Sequence, residues 1–545
     1  ISHKPALANR RDGAASNNQL IELANIGGIE HESTEDHPIH LGSNRMALTH
    51  HDLEARENFV APLMAEAGMH IDTVPDGDIY DGVLGVIGGI AVVKAIDEEG
   101  ITPERDILVV SLTGEESSRF NIALFGSRAL FQGLTEDELV SRKPDGPTIA
   151  EALGEVHAEY VQYPAFGPHG NEFPTPYASV ELHVEQDKKL LNKGKDIGIV
   201  EHIAAPVRFL SKIGTTSLEV EESPFEYNTY LELQVNGNAD HSGATPMGEE
   251  NRADGLLETV VILSDLGEPE DGSEISIGDI EVYEQAMNKV PGLVSTKLRI
   301  GANTEESIAE IMDEIRSVVE ARNFVHADGA SSFKDTSIVL NVIEESEAGE
   351  FFRQDDMVAR QKTAFGLIES VNKSANHYAE QKCVGTVGTY DVSDDGVISL
   401  GVDLRGMTLE PREALVAPIE KAMESAVLRN YEFDGLGEVL PGSGEAPVIL
   451  SRDLVNKAVD TVSENLPDVS LMKMDSAAGH DTQNVARAGI PAVMIFAQSK
   501  DGIAHDPEAY TSPENIDKAV KALAVLTVKL ANEVPDYVRR LKDSL

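Results

Sequence analysis

The chain has 545 residues, enough for about three or four compact domains at roughly 150 residues each. Its 94 acidic and 44 basic residues give a formal net charge of −50. A surface of that sign repels phosphate backbones and anionic membranes, which argues against nucleic acid or lipid as partners.

The acidic residues are spread along the chain, and such a surface repels itself unless salt screens it. This predicts a protein of a salt-rich cell. A calcium-loaded acidic protein is the weaker explanation, because the sequence has no D-x-[DN]-x-[DN]-G loop ending in Glu. The single cysteine, Cys383, excludes an intramolecular disulfide and a CxxC site.

No apolar run reaches the length of a membrane span, and the first residues lack the apolar core of a signal peptide. We therefore expect a cytoplasmic protein. Because it has one cysteine, any metal in it must be held by His, Asp and Glu.

The N-terminal third alternates between helices and strands. "GVIGGIAVVKAIDEEG" has apolar residues at helical spacing, "DILVVSLTG" is typical of a short buried strand, and "ALFGSRALFQG" begins another helix. The C-terminal part repeats the pattern, with "LVNKAVDTVSENL" and "NIDKAVKALAVLTVKLANEV" as helices and "IPAVMIFAQ" as a strand. This alternation predicts a parallel α/β layer built from both ends of the chain.

An internal repeat interrupts this layer. "TYLELQVNG" from Thr229 corresponds to "TSIVLNVIE" from Thr336, and "STKLRIGANTEESIAEIMDEI" corresponds to "SLGVDLRGMTLEPREALVAPI". Each copy reads strand, helix, two strands and helix, with Asn303 and Thr408 as the N-caps of the last helices. We predict two α+β lobes, at residues 227–331 and 332–434, inserted between parts 1–226 and 435–545 of the α/β domain.

Histidines and acidic residues recur at predicted strand ends and in the loops that follow, where α/β folds place their sites. These residues are His70, Asp81, Glu115, Glu116, His183 and His505. Three histidines, a bridging carboxylate and a further carboxylate suit two dications such as Zn²⁺, Mn²⁺ or Co²⁺.

In that arrangement Glu116 would be a metal ligand. Glu115 would take the proton of the attacking water and return it to a leaving nitrogen. The alternative is that His70 is a hydrogen-bonded structural residue and that both glutamates are exposed loop acids.

Six segments resemble the hydantoinase/carbamoylase branch of the M20 metallopeptidase-like family, which includes N-carbamoyl-L-amino-acid hydrolases, allantoate amidohydrolases and β-ureidopropionases. They are "HIDTVPDGDIYDGVLGV", "GEESSRFNIALFGSRAL", "ELHVEQ", "ADHSGATPMGEENRAD", "AAGHDTQNVARAGIPAVMIF" and "GIAHDPEAYT". The resemblance runs from residue 43 to about residue 515 in the family's order.

The resemblance implies a role for each site residue. The implied metal ligands are His70, Asp81, Glu116, His183 and His505, with Asp81 bridging. Glu115 is the implied general base, and Asp72 would orient the His70 ring. His241 resembles the lid histidine that stabilises the oxyanion, while Asn288 and Gln186 resemble residues that contact substrate.

The family also binds the substrate carboxylate with an arginine on a lid strand. Counting from Asn288 places Gly301 at that position, and Arg299 lies two residues earlier on the same strand face. Arg405, in "VDLRG" of the second copy, fits the family's strand ending better. Either arginine could instead be a surface ion-pair partner in so acidic a protein.

Three features depart from the family. Met69 runs directly into His70 where the family has extra strands, and Ser117 and Asp187 occupy positions where it prefers glycine. The second lobe has no counterpart of "HSGATPM". Our hypothesis is that this lobe replaces a partner subunit's lid, which gives a monomeric pseudo-dimer; a homodimer is the alternative.

The sequence thus predicts an α/β, zinc-peptidase-like catalytic domain with a mixed, mostly parallel sheet and an inserted α+β lid of two repeated lobes. The predicted activity is hydrolysis of a linear C–N amide in a small carboxylated substrate, an N-carbamoyl-amino acid or related ureido acid, with two divalent metal ions. One alternative is an M20-type dipeptidase or N-acyl-amino-acid deacylase. Another is a catalytically inactive relative that acts as a binding or assembly subunit.

Overall fold

The computed structural model describes most of the chain beyond residue 76. The described residues are 77–116, 119–120, 122–140, 146–155, 176–214, 217–220, 223–248, 252–267, 269, 271–327, 336–347, 351–352, 354–427, 438–440 and 443–533, with the strands Gly28–Glu30 and Leu41–Ser43. The chain divides into two compact units. The first comprises Ile1–Ala204 and Pro447–Leu545, and the second comprises Ala205–Ala446.

The described residues form seventeen strands. The strands are β1 (Gly28–Glu30), β2 (Leu41–Ser43), β3 (Ser179–Val184), β4 (Ile197–Ile203), β5 (Ala205–Ile213), β6 (Tyr227–Asn236), β7 (Asp240–His241), β8 (Glu274–Val282), β9 (Lys289–Val290), β10 (Leu293–Ala302), β11 (Ser337–Ile343), β12 (Val384–Val392), β13 (Ile398–Gly406), β14 (Glu438–Val439), β15 (Val448–Ile449), β16 (Leu471–Ser476) and β17 (Ala492–Ala497).

The helices are α1 (Val83–Glu98), α2 (Phe125–Phe131), α3 (Glu136–Leu139), α4 (Ile149–Glu155), α5 (Lys189–Lys193), α6 (Gly255–Asp265), α7 (Glu305–Ala327), α8 (Gln354–His377), α9 (Leu409–Val427), α10 (Arg452–Asn465), α11 (Thr482–Arg487) and α12 (Pro513–Ala531). Among the described residues, none of these helices combines the length and apolarity that a membrane span requires.

The first unit is an α/β layer with a mixed five-stranded sheet in the order β15-β4-β17-β3, with β16 beside β4. β17 pairs with β3, and β16 with β4, in parallel, whereas β17 and β15 each pair with β4 antiparallel. The predicted α/β class and mixed sheet are confirmed. Among the described strands of this sheet more residues pair in parallel than antiparallel, as predicted.

The helices α1, α10 and α12 pack on this sheet and form one hydrophobic core with it. α12 begins where the sequence places a strong start signal: Ser512 Oγ accepts the Asn515 N–H at 3.2 Å and Pro513 follows directly. The segment "DILVVSLTG" is not a strand as predicted. Its residues form no ladder with a neighbouring strand in the described part of the chain, although Ile107 and Val109 pack against the core.

The second unit contains two four-stranded antiparallel sheets, in the orders β11-β6-β10-β8 and β12-β13-β5-β14. α6 and α7 pack on the first sheet, and α8 and α9 on the second. One hydrophobic core serves both sheets and includes Leu231, Leu298, Leu400 and Leu404. The edge strands β8 and β12 lie side by side.

The predicted order of elements in both lobes is observed, but one strand joins a different sheet. β11, expected to begin the second lobe, pairs with β6 in the first sheet. The second sheet instead uses β5, which precedes the predicted lobes and pairs with β13. β5 suits that place because Val207, Phe209 and Ile213 alternate into the core. The unit therefore begins earlier, at residue 205, than the predicted insertion did; the duplication itself stays a prediction.

Candidate active site

The first functional side chain lies in the loop before α1. Asp81 is 5% exposed and immediately precedes Gly82, whose φ of 63° is readily adopted only by glycine. The loop is held by Asp78, whose Oδ1 accepts the N–H groups of Tyr80 and Asp81, each at 2.8 Å. The local sequence therefore fixes the Asp81 backbone before any ligand binds.

His183 meets Asp81 from the end of β3. Its Nε2 lies 2.8 Å from Asp81 Oδ1, and its Nδ1 lies 2.9 Å from the Val184 carbonyl oxygen. A backbone carbonyl that accepts from one ring nitrogen leaves the other nitrogen available as a metal ligand. Two of the residues predicted as metal ligands, Asp81 and His183, are therefore in contact.

Glu116 and His505 approach the same carboxylate on its other oxygen. His505 Nε2 lies 3.3 Å from Asp81 Oδ2 and 3.1 Å from Glu116 Oε1. One potential ligand atom from each of the three residues lies within 4.8 Å of the others, and all three residues are buried. Asp81 thus has one oxygen facing His183 and the other facing His505, the geometry expected of a carboxylate shared by two cations.

The charges of this cluster are strongly coupled. Burial disfavours the charged form of each group and is the largest single effect on Asp81, but His183 and His505 together outweigh it and hold the pKa of Asp81 well below its usual range. Against the same effect of burial, Asp81 raises the pKa of His183 to about 9, and Glu116 with Asp81 raises the pKa of His505 to about 10. Protons and divalent cations would therefore compete for the same nitrogens.

A second group that could hold a metal ion comprises Glu181, His183 and His480. Its donor atoms are partly committed elsewhere: Glu181 Oε2 accepts the Thr482 N–H at 2.9 Å, and His480 Nε2 lies 2.9 Å from Ser476 Oγ. The His480 ring packs edge-on against His183, with centroids 4.6 Å apart. We interpret this group as support for the His183 ring.

Sequence reasoning missed Asp78 and Glu181. Glu181 had a signal, because it lies two residues before His183 on one strand and therefore on the same face. Asp78 had none beyond its place in the Asp81 loop.

The other predicted residues of the first unit fall into three groups. Gln186 Nε2 donates to Asp81 Oδ2, so Gln186 joins the cluster. Glu115 is 9% exposed and adjoins Glu116, which contradicts the reading of the two glutamates as exposed loop acids. His70 and Asp72 lie outside the described residues.

A separate polar cluster lies within the second unit around His241. The short strands β7 and β9 pair, and the Ser242 N–H donates to the Asn288 carbonyl oxygen at 2.9 Å, which brings the predicted residues His241 and Asn288 together. His241 Nδ1 accepts the Ala244 N–H at 2.9 Å, so in the neutral ring the proton sits on Nε2.

Arg405 lies at this cluster and Arg299 has different partners. Arg405 Nη1 is 3.5 Å from His241 Nε2, while its Nε and Nη2 donate to the two oxygens of Asp403 at 2.9 and 2.8 Å. With the His241 proton on Nε2, both nitrogens of the 3.5 Å pair are donors, a pair that suits an anionic oxygen. Arg299 instead donates to Ser276 Oγ at 3.2 Å and lies over the Phe351 ring.

The model of peptidase family M20/M25/M40 matches residues 67–529. An allantoate amidohydrolase of Bacillus subtilis is 26% identical over 474 residues, which is 85% of this chain and 80% of the relative. An N-carbamoyl-L-amino acid amidohydrolase of Geobacillus stearothermophilus is 29% identical over 259 residues, 47% of this chain and 56% of the relative.

Among solved structures, AtUAH in complex with (S)-hydroxyglycine superposes with a TM-score of 0.59 at 20% identity, over 97% of this chain and 100% of that chain. This likeness supports the fold. The family match spans the Asp81 loop, the β3 histidine and the loop of His505, the same segments that build the carboxylate–histidine cluster. The chain belongs to peptidase family M20/M25/M40, whose members depend on metal ions.

Proposed function

We propose that this protein is a binuclear metal-dependent amidohydrolase that cleaves the linear C–N amide of an N-carbamoyl-amino acid or a related ureido acid. The observation that carries this proposal is Asp81, whose two oxygens face His183 and His505 separately. Relatives named as N-carbamoyl-amino acid and allantoate amidohydrolases support the substrate class.

The residues present fit two divalent cations. Asp81 and His183 would hold one ion, joined by His70 on the family's pattern, and Asp81, Glu116 and His505 would hold the other. Imidazole nitrogens and carboxylate oxygens are ligands that Zn²⁺, Mn²⁺ and Co²⁺ all accept. Such ions act as Lewis acids and bring the pKa of a coordinated water toward neutrality.

The chain's own groups supply the proton transfers. Glu115 takes the proton of the attacking water as the new C–O bond forms at the amide carbon, then delivers it to the leaving nitrogen as the C–N bond breaks. The products from an N-carbamoyl-amino acid are the amino acid, CO₂ and NH₃. On the family's pattern, His241 would stabilise the oxyanion and Arg405 would bind the substrate carboxylate, while Asn288 and Gln186 would contact polar groups of the substrate.

The first experiment measures metal content and activity together. After dialysis in high salt, the wild type should retain about two divalent ions per chain, and Asp81→Ala should lose them together with hydrolysis of an N-carbamoyl-L-amino acid. Asp475→Ala is the matched control, because Asp475 also pairs with a histidine of the same unit, His202, at 2.7 Å. It should keep both properties.

The outcomes separate the alternatives. Faster hydrolysis of a dipeptide than of an N-carbamoyl-amino acid would replace the proposed substrate with that of an M20-type dipeptidase. A wild type that holds no metal after reconstitution would make the protein a catalytically inactive binding relative.

We further propose that the second sheet of Ala205–Ala446 takes the place of a partner's lid, so the active protein is a monomer. The two sheets meet at corresponding edges, β8 and β12, and the Tyr390 N–H of β12 donates to Gln285 Oε1 at 2.8 Å. These contacts cover the β8 edge of the first sheet, which leaves that edge unavailable to a second copy of the chain. Sedimentation equilibrium in molar KCl should give one chain's mass, whereas a dimer disrupted by substitutions in β8 would contradict the proposal.

A further inference from the structure

One buried carboxylate joins two loops of the first unit that are far apart in sequence. Asp78 is 2% exposed, and its Oδ1 accepts the N–H groups of Tyr80 and Asp81, each at 2.8 Å. Its Oδ2 accepts the N–H of His505 at 3.0 Å, across 427 residues of sequence. Both oxygens are therefore committed to backbone.

The bond to His505 holds a backbone conformation that needs support. His505 has φ of 61°, in the left-handed region, which is unfavourable for a residue with a Cβ. Such conformations persist where the surroundings determine them. The Asp78 carboxylate provides a fixed acceptor for the His505 N–H, and the conformation of His505 determines where its ring points.

The same carboxylate orients Asp81 from the other loop. By accepting two successive loop N–H groups ahead of Gly82, Asp78 fixes the turn from which the Asp81 side chain projects. Asp81 Oδ2 and His505 Nε2 then lie 3.3 Å apart. Without this shared acceptor, the hydrogen bond between the two loops would be lost and the distance between them would vary more.

We infer that Asp78 is a positioning residue that sets the distance and angle between Asp81 and His505, and so the affinity of the pair for a divalent cation. This inference rests on the proposed function, because it assumes that Asp81 and His505 bind metal. Asp78 acts through the two ligands and does not contact the cation.

The test is Asp78→Asn. An amide has one acceptor oxygen, so in either orientation its NH₂ group faces a backbone N–H, of His505 or of Tyr80 and Asp81. Changes of residues that hold metal ligands typically weaken metal binding about 10–100-fold. We expect that loss in Zn²⁺ affinity when the metal-free protein is titrated against a competing chelating indicator.

Asp254→Asn is the matched control. Asp254 is also a buried aspartate whose Oδ1 accepts a backbone N–H, that of Leu257 at 3.0 Å, but it lies in the other unit. The Zn²⁺ affinity of the Asp254→Asn variant should stay within about twofold of that of the wild type. Thermal unfolding of both metal-free variants separates a change of stability from a change of affinity.

The outcomes distinguish this inference from the proposed function. If wild type binds Zn²⁺ and Asp78→Asn binds it equally well, the inference is wrong and the proposed function stands. If wild type binds no divalent cation, both fail. Should Asp78→Asn not fold, hydrogen exchange of metal-free wild type decides: slow exchange of the His505 amide is expected, and exchange at the rate of an unprotected amide would overturn the inference.

Discussion

Arg299 and Arg405 hold comparable places near the ends of strands β10 and β13, but their surroundings differ. Arg405 bridges Asp403 and the His241 ring, whereas Arg299 lies between Phe351 and the polar groups Glu274 and Ser276. Of the two arginines that the sequence offered for an anionic substrate, the structure therefore favours Arg405.

Substitution by lysine tests this difference. Lysine has one donor centre and cannot bond both oxygens of Asp403 while also facing His241. We expect Arg405→Lys to lower kcat/KM for an N-carbamoyl-amino acid about 10–100-fold, as for the loss of a charged hydrogen bond. Arg299→Lys should stay within about threefold. A larger loss from Arg299→Lys in steady-state kinetics would reverse the assignment.

At the scale of single residues the proposed metal ligands could be predicted from sequence, whereas the residues that support them could not. Asp81, Glu116, His183 and His505 each follow a recognisable motif at a strand end or loop. Asp78 and Glu181 act through bonds to His505 and Thr482, which lie hundreds of residues away. No local pattern encodes such a bond, because it exists only once the loops have come together.

The helix α6 shows how one buried cap affects stability. Asp254 accepts the Leu257 N–H at its start, and burial raises the pKa of Asp254 to about 6 from 3.8. Because the folded-state pKa is raised, the folded protein holds this proton to higher pH than the unfolded chain does. Ionisation of Asp254 therefore costs stability as the pH rises from about 4 to about 6.

Asp254→Asn should remove that cost, since Asn caps a helix about as well as Asp. In chemical denaturation, the free energy of unfolding of the variant should rise relative to that of wild type by on the order of 2 kcal/mol between pH 4 and pH 7. Above that range the difference between the two proteins should stay constant. The exposed Asp265→Asn, at the other end of α6, is the control. Curves parallel from pH 4 onward for Asp254→Asn would contradict the prediction.

The strand β12 passes closely over the turn that presents Asn288. A Cβ at Gly388 would lie 2.3 Å from the Ala286 carbonyl oxygen and 2.8 Å from that of Met287. Backbone atoms cannot rotate away, so Gly388→Ala should lower the free energy of unfolding by about 1–3 kcal/mol.

Gly366→Ala is the control for this change, because Gly366 lies in α8 and its Cβ would meet nothing within 4 Å. It should raise the free energy of unfolding by about 0.5–1 kcal/mol. Equal effects of the two substitutions in urea denaturation would show that β12 is not tightly packed against the turn.

Element order was predictable from sequence, whereas sheet membership was not. Apolar periodicity gave the strand, helix, two strands and helix of both lobes. Strand pairing depends on contacts between segments that are far apart in sequence. In β5 and β13, for example, Ala205 pairs with Gly406. Two strands with the same alternation of apolar and polar residues cannot be told apart as pairing partners from their local sequence.

At the scale of the whole molecule, the net charge of −50 sets the dependence on salt. Screening shortens the range of charge repulsion to about 3 Å at 1 M salt from about 10 Å at 0.1 M. We therefore expect the thermal midpoint to rise with KCl, and to rise far less with sucrose, which does not screen charge. A midpoint that is flat or falls between 0.1 and 1 M KCl would contradict this expectation.

The path of the chain through the second unit makes one part of it separable. The first sheet begins with β6 and ends with β11, and these strands pair, with Ile343 opposite Tyr230. The chain thus enters and leaves at adjoining points, while β5 and β13 close the second sheet across the interval. Residues 227–343 form a cassette with neighbouring ends, an arrangement that tolerates domain exchange. A relative's cassette whose inner face matches the shared core could be grafted there without cutting any strand of the other sheet.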